Sequence, residues 1–264
     1  FFCENIVNNP SAQGIPYVDK YDLTVSPFLT AEAAYGRIIE DLKAAEEIMQ
    51  ENGEYFDDAD KQNNEFLKDR QIHMNLYAIQ GMLARVYWMK GDLKTAAEYA
   101  QKILDCKHFE LADKSEIEDL INGVLSPKET IWGLFSANFY TNVRADLYLS
   151  GGSSSLFLKA DHDDTYMADK EGTDYRYEKW FKNYSAIESG MRCIKVLDTY
   201  ELNYATRSDA RVKGVNMLRL PELYYIITEY YLSIDNQTEA VKYFDKVLVS
   251  RGLTGYADRQ GATL

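Results

Sequence analysis

Cysteine, histidine and positive charge are all scarce in this chain of 264 residues. The three cysteines, Cys3, Cys106 and Cys193, stand far apart and show neither metal nor redox spacing. A disulfide framework therefore does not hold the protein together, and three scattered thiols leave the compartment open. The three histidines, His73, His108 and His162, lie in unrelated segments, none with a nucleophile and an orienting acid at a catalytic spacing. They read as satisfied or solvent-exposed side chains, and an enzyme reading finds little support. No glycine-rich loop follows a strand in the pattern that cradles phosphate. No apolar run reaches the ~18–20 residues that a helical membrane span requires. Lys and Arg number 29 against 42 Asp and Glu, a formal charge of −13. With no basic stripe, such a chain repels phosphate backbones, which excludes nucleic acid as a partner.

What is present is the composition of a globular protein: 46% hydrophobic and 27% charged residues, with a mean hydropathy of −0.41. The length permits one large domain or two ordinary ones. The sequence opens Phe1-Phe2-Cys3, with neither Met nor a signal peptide, as a segment from inside a longer protein would. Two Phe before Cys3, in place of small residues, argue against a lipobox at this cysteine.

Four segments repeat apolar residues at helical spacing. Residues 30–50, TAEAAYGRIIEDLKAAEEIMQ, carry Tyr35, Ile38, Ile39, Leu42, Ala45 and Met49 on one stripe. Thr30 is placed to cap this helix, and Glu32 falls in the first turn, where the dipole favours an anion. A second helix is expected from about Ile72 to Met89, burying Leu76, Ile79, Leu83, Val86 and Tyr87. A third starts past Gly91-Asp92, with Leu93, Ala96, Ala97, Ala100, Ile103 and Leu104 inward and Lys94, Glu98 and Lys102 as i,i+4 ion pairs outside. Gly91 can take positive φ and end the second helix, so 84–104 reads as a helix–turn–helix. The fourth segment, 218–252, repeats the design.

Laying 84–104 over 228–248, at an offset of 144, aligns five identities: Tyr87 with Tyr231, Ala96 with Ala240, Tyr99 with Tyr243, Lys102 with Lys246 and Leu104 with Leu248. Helices whose axes approach to ~8–10 Å need a residue without bulk where they cross. Ala84 with Ala96, and Thr228 with Ala240, supply it. The pattern resembles the tetratricopeptide repeat, although the motif's Trp and closing Pro are missing and Asp235-Asn236 replaces the turn glycine. Tandem copies would recur about every 34 residues. Residues 105–200 instead show little periodicity, with a turn at Ser126-Pro127, a Gly/Ser run at 150–155 and strand-like stretches at 130–135 and 192–197.

Several segments, taken in order, resemble the SusD/RagB family, the outer-membrane glycan-binding lipoproteins of Bacteroidetes. They are Gly14-Ile15-Pro16-Tyr17-Val18; Ile38-Ile39-Glu40-Asp41-Leu42 with Ala45-Glu46; Leu83-Ala84-Arg85-Val86-Tyr87 with Gly91-Asp92 and Ala96-Ala97; Glu129-Thr130-Ile131-Trp132; Leu218-Arg219-Leu220-Pro221-Glu222-Leu223-Tyr224; and Ser250-Arg251-Gly252. Pro221 departs from the family's usual Ala, and the family's lipidated N-terminal region and C-terminal segment have no counterpart, so the likeness covers the central portion of a typical member. It implies a mostly α fold: tetratricopeptide-like hairpins in a SusD-like α-α superhelix, with a loop-rich insert containing a few short strands. The whole chain, 1–264, is expected as a single domain. Its parts would be a helical scaffold at 30–105, an irregular aromatic-rich insert at 106–215 and a final helical hairpin at 216–252.

The resemblance further implies a cell-surface binding protein that captures an oligosaccharide and hands it to a TonB-dependent, SusC-like transporter. It would use no cofactor, perform no chemistry, and meet the outer membrane only through a lipid anchor that the given chain lacks. Residues 130–184 hold twelve of the 35 aromatics, against about seven by share of length. Aromatic faces stack on sugar C–H patches while polar side chains bond the hydroxyls. Tyr140, Asn142 and Arg144, and Trp180 with Asn183 and Tyr184, are the best local constellations for a ligand. Asp58, Asp60 and Gln62 place oxygen donors at the alternate spacing of a calcium loop, but Asn63 stands where that loop needs Gly, so a solvated loop is the better reading and no metal is expected. Two other classes stay open: a tetratricopeptide-like protein–protein adaptor, and a glycoside hydrolase with two carboxylates ~5–9.5 Å apart.

Overall fold

The computed structural model describes residues 5–52, 69–120, 124–136, 174–183, 191–193 and 212–258. A short antiparallel pair, β1 (Gln13–Pro16) and β2 (Phe28–Thr30), leads into α1 (Ala31–Asn52). Thr30 caps this helix as expected, its Oγ1 accepting from the Ala33 N–H at 3.2 Å. The second helix, α2 (Leu76–Lys90), starts four residues later than the periodicity of 72–89 suggests. The reason is Asn75. Its Oδ1 caps the helix by accepting from the Ala78 N–H at 2.8 Å, while its Nδ2 donates to the carbonyls of Arg70, His73 and Ile131. Residues Arg70–Ile72 form a separate 3-10 turn below it. One fully buried amide thus fixes both the start of the helix and the strand that passes beneath.

Helix α3 (Leu93–Asp105) follows directly, capped by Asp92, which accepts from the Thr95 N–H at 3.1 Å. Between the two helices Gly91 sits at φ +86°, and the Gly91 and Asp92 N–H groups close on Trp88 O and Tyr87 O. The chain then runs through α4 (Lys114–Asp119), β3 (Thr130–Phe135), α5 (Tyr175–Trp180), β4 (Phe181–Asn183), β5 (Met191–Cys193) and β6 (Gly214–Arg219). Two helices close it, α6 (Leu220–Ser233) and α7 (Gln237–Ser250). Leu218 and Arg219 therefore end a strand; they do not begin the helix that the pattern of 218–252 suggests. Pro221 in the first turn explains the abrupt start, because its missing N–H has no bond to lose there.

The second hairpin reproduces the first at the predicted offset. Leu76 and Leu220 open the first helices, Leu93 and Gln237 the second ones, each pair 144 residues apart. Asn236 caps α7 as Asp92 caps α3, and Asp235 takes the left-handed turn position at φ +57°. Tyr87 stacks on Tyr99 with ring centroids 5.8 Å apart, and Tyr231 on Tyr243 at 5.7 Å. Ala84, Ala96 and Ala240 are fully buried; the Thr228 hydroxyl is satisfied by the Tyr224 carbonyl at 2.8 Å. Lys102 does not pair with Glu98: its ammonium lies 4.2 Å over the Tyr99 ring and 3.8 Å from Glu46. The Lys94–Glu98 pair does form, at 3.9 Å.

In space the two hairpins are neighbours. Helices α1, α2, α3, α6 and α7 pack in that order, α3 directly against α6, as though the residues between them had been looped out of a continuous array. The main core runs through this seam, from Ala96, Ala100 and Ile103 to Leu220, Leu223 and Ile227. Strand β6 pairs antiparallel with β3, Thr130 opposite Arg219 and Phe135 opposite Gly214, which returns the looped-out chain to the scaffold. Gly81 on α2 permits this: a Cβ there would stand 2.1 Å from Leu218 Cδ2. A smaller core gathers Ala112, Ile117, Leu120, Val124, Trp180 and Phe181.

Candidate functional site

Of the residues expected to hold a ligand, Tyr140, Asn142, Arg144 and Tyr184 lie outside the described residues, as do Asp58, Asp60 and Gln62 of the acidic loop. Asn183 ends β4, paired with Met191 across to β5. Trp180 is described, and its environment is a core. It is 7% exposed, its ring packs among Ile117, Leu120 and Val124, and its indole N–H donates to Ile117 O at 2.9 Å. That side chain is committed to holding α5 against α4, which corrects the ligand role expected of it. The other described aromatics of 130–184 are Trp132, Phe135, Tyr175, Tyr177 and Phe181; only Phe135, at 60%, is exposed. Among the described residues no group of three His, Cys, Asp or Glu is placed to hold a metal ion.

The segments that resemble the family meet at two ionic joints. Glu129 is completely buried beside Arg251, whose Nη2 donates to Glu129 Oε1 at 2.6 Å; Arg219 Nη2 donates to the other oxygen. The Ala112 N–H adds a third bond at 2.8 Å, and Glu129 O accepts from the Leu220 N–H at 2.9 Å. Burial by itself would raise the Glu129 carboxyl, but Arg251, Arg219 and the Ala112 N–H together hold it below the ordinary carboxylate range. At the second joint Arg85 makes a bidentate pair with Glu222, both contacts 2.6 Å, and donates to Met217 O at 2.7 Å. These joints dock β3 and β6 on the hairpins, so Glu129, Arg219, Arg251, Arg85 and Glu222 act as framework.

A sizeable concavity lies elsewhere, between the N-terminal segment, α1 and the α2–α3 turn, with a volume of about 910 Å³. Ile15, Ile38, Val86, Trp88 and Met89 give it apolar walls, and Glu229 from α6 is the single charged side chain among the described residues that line it. Trp88 is 40% exposed, with its indole N–H donating to Glu229 Oε2 at 2.6 Å. The sequence reading missed this groove. Its signal was present: Trp88 and Met89 fall off the stripe of Ile79, Leu83 and Val86 that α2 buries. A second, smaller hollow of about 590 Å³ sits under the strap 17–27, where Tyr17 bonds Asp41 and Arg37 meets Asp19 at 3.4 Å.

No protein-family model and no curated protein sequence matches this chain. Solved structures do. A SusD superfamily protein from Bacteroides vulgatus superposes with a TM-score of 0.69 at 18% identity, over 95% of this chain and 54% of its own. A SusD-like carbohydrate binding protein from the same organism gives 0.66 at 15% identity, over 95% and 50%. The fold is SusD-like. A surface glycan-binding protein A from Bacteroides uniformis gives 0.64 at 16% identity, over 94% of this chain and 56% of that one. The chain thus spans about half the length of the SusD-like structures it matches. No described helix is long and apolar enough to cross a membrane.

Proposed function

We propose that this chain is the scaffold-bearing part of a SusD/RagB-family binding protein that captures an oligosaccharide at the cell surface. It hands the ligand to a TonB-dependent, SusC-like outer-membrane transporter and catalyses nothing. In this reading the protein is an outer-membrane lipoprotein. The observation that carries the reading is the SusD-like fold, with an α3–α6 seam that loops out an aromatic-rich stretch from a helical array. The paired motif residues support it: Glu129 with Arg219 and Arg251, and Arg85 with Glu222, give those family-like segments a common mechanical task. Tyr140, Asn142, Arg144, Asn183 and Tyr184 are the proposed ligand contacts. Stacking of a pyranose on Tyr140 or Tyr184, with hydroxyls bonded by Asn142 and Arg144, would use the apolar face and polar tip of tyrosine together.

Affinity electrophoresis and calorimetry across a broad panel of glycans test this. Retardation by at least one glycan, lost in Tyr140→Ala and Tyr184→Ala with folding intact, is the expected outcome. Absence of binding to every glycan, together with clear binding to peptides, would remove the carbohydrate reading. Co-purification with a TonB-dependent transporter encoded beside the gene tests the partner.

A further inference from the structure

The scaffold carries an apolar face that its own packing leaves open. On α2, Met82, Arg85 and Met89 follow one another by three and four residues; on α6, Glu222, Tyr225, Glu229 and Leu232 do the same, so each set lies along one side of its helix. Two side-chain rungs bind the rows edge to edge: Arg85 to Glu222, and Trp88 to Glu229. Along this face Trp88 is 40% exposed, Met89 44%, Tyr225 45% and Leu232 37%. At its end the face opens into the 910 Å³ groove. The row from Glu222 to Leu232 spans roughly 15 Å of helix, more than one small ligand would cover.

The charges on this face are unequal. Glu222 is matched by Arg85, but Glu229 receives only the neutral indole N–H of Trp88, and no cation among the described residues pairs with it. Among the described residues a carboxylate is thus the one charge in a groove otherwise lined by aliphatic side chains, aromatic rings, glycines and asparagine amides, on a chain of net charge −13. An anionic occupant is repelled. A sugar would meet the Trp88 and Tyr35 rings and the Asn5 and Asn8 amides, but the aliphatic walls of Ile15, Ile38 and Val86 bond no hydroxyls. Apolar side chains fill such walls, methionines adapt to them, and a basic side chain completes Glu229.

We propose that the Trp88–Glu229 face is a docking groove for a partner polypeptide, an amphipathic segment that seats apolar side chains beside Trp88 and Met89 and places a Lys or Arg on Glu229. The proposal rests on this face alone and does not depend on the proposed glycan contacts.

The test uses the whole chain and two fluorescein-labelled synthetic helical peptides, identical with leucines at i, i+3, i+7 and i+10 except for one Lys or one Glu at the position flanking the stripe. Fluorescence polarisation should show the Lys peptide binding the parent more tightly, on the order of fivefold, the sum of one gained attraction and one removed repulsion at a partly exposed site. Glu229→Lys should invert that preference, and Trp88→Ala should weaken both peptides with circular dichroism unchanged. Raised salt should erase the difference between the twins and leave the apolar part. Equal binding of the twins to the parent, binding that survives both substitutions, or no binding by either peptide overturns the proposal. So does a glycan that displaces the peptide or shifts Trp88 emission, which would make the groove a sugar site. Glycan retardation measured on the same variants keeps the outcomes distinct: it should be unchanged in Glu229→Lys whatever the peptides do.

Discussion

The two hairpins share a turn, a cap, a tyrosine stack and a small residue at the crossing, yet each is tied to the rest of the protein by a carboxylate of a different kind. For α2–α3 that carboxylate is Glu46 on α1. It accepts from Gln80 at 3.0 Å and the Tyr99 hydroxyl at 3.2 Å, with Lys102 half exposed at 3.8 Å. For α6–α7 it is Glu129, which faces two guanidiniums, one of them 5% exposed at its side chain. The first anchor is mostly neutral hydrogen bonding; burial and the Glu46 charge push the Tyr99 phenol up to about 12, so it stays a donor across the ordinary range of pH. The second is an ion cluster whose carboxylate and Arg251 are cut off from water, with Arg219 at its edge a quarter exposed. A repeated hairpin leaves its docking chemistry free to follow whatever element happens to meet it.

The comparison breaks first at the buried ions. Glu129→Ala leaves Arg251 uncompensated inside the protein, and loss of one partner of a buried pair costs about 3–5 kcal/mol. Glu46→Ala leaves neutral donors short of an acceptor, at about 1–3 kcal/mol. Urea denaturation of both variants checks the order; a larger loss at Glu46 would reverse the assignment of the stronger anchor. Acid supplies a second view. The folded Glu129 carboxyl lies below its ordinary value of 4.5, so its contribution is complete above that value and is lost as pH falls through the lowered folded value. Glu129→Gln should therefore lower stability at neutral pH and flatten the acid limb of the stability curve, whereas an unchanged limb would place the acid sensitivity elsewhere.

Next in size is the crossing. Ala96 and Ala240 are both fully buried, but α3 is packed on two sides, by α2 and by α6, while among the described helices α7 packs chiefly on α6. Overpacking by one Leu costs ~1–3 kcal/mol. Ala96→Leu should fall at the upper end, since neither neighbour can retreat, and Ala240→Leu at the lower end, since α7 can tilt outward. Melting temperatures rank the two, and parent-like melting in both would mean that the register joining the hairpins is wrong.

The repeat could be read from the chain because its determinants are local: a small residue, a tyrosine three further on and a capping Asp or Asn fall within 21 residues of one another. The strand at 130–135 was legible for the same reason. Glu129, Arg219 and Arg251 were visible only as members of separate segments, because their meeting depends on α3 closing against α6 across more than a hundred residues. Trp180 shows the opposite failure. Local aromatic enrichment says how much ring surface a segment carries, not which rings turn inward; the bond from its indole to Ile117 O comes from 63 residues away. Trp88 escaped although it falls off the stripe that α2 buries, because that sign shows a residue left outside the helix's own core and not which other elements meet it there.

The smallest effect lies in the turn itself, and it discriminates well because the two hairpins solve one problem with different residues. Gly91 stands at φ +86° and Asp235 at φ +57°, both in the left-handed region. A side chain there costs roughly 1–2 kcal/mol, less for Asp and Asn, whose short polar groups bond locally. At Gly91 there is a further demand, since a Cβ would come 3.2 Å from Val7 Cγ2. Gly91→Asp should therefore cost about 1 kcal/mol. The reverse change, Asp235→Gly, relieves the left-handed strain but returns backbone freedom to the unfolded chain, worth ~0.5–1 kcal/mol in the other direction. The two terms nearly cancel, and its denaturation midpoint should move little. If both variants lose stability equally, Asp235 must contribute a contact of its own and the turns are not interchangeable. If Gly91→Asp is silent, the N-terminal segment carrying Val7 yields without cost, and the wall of the groove beside Trp88 is softer than its packing suggests.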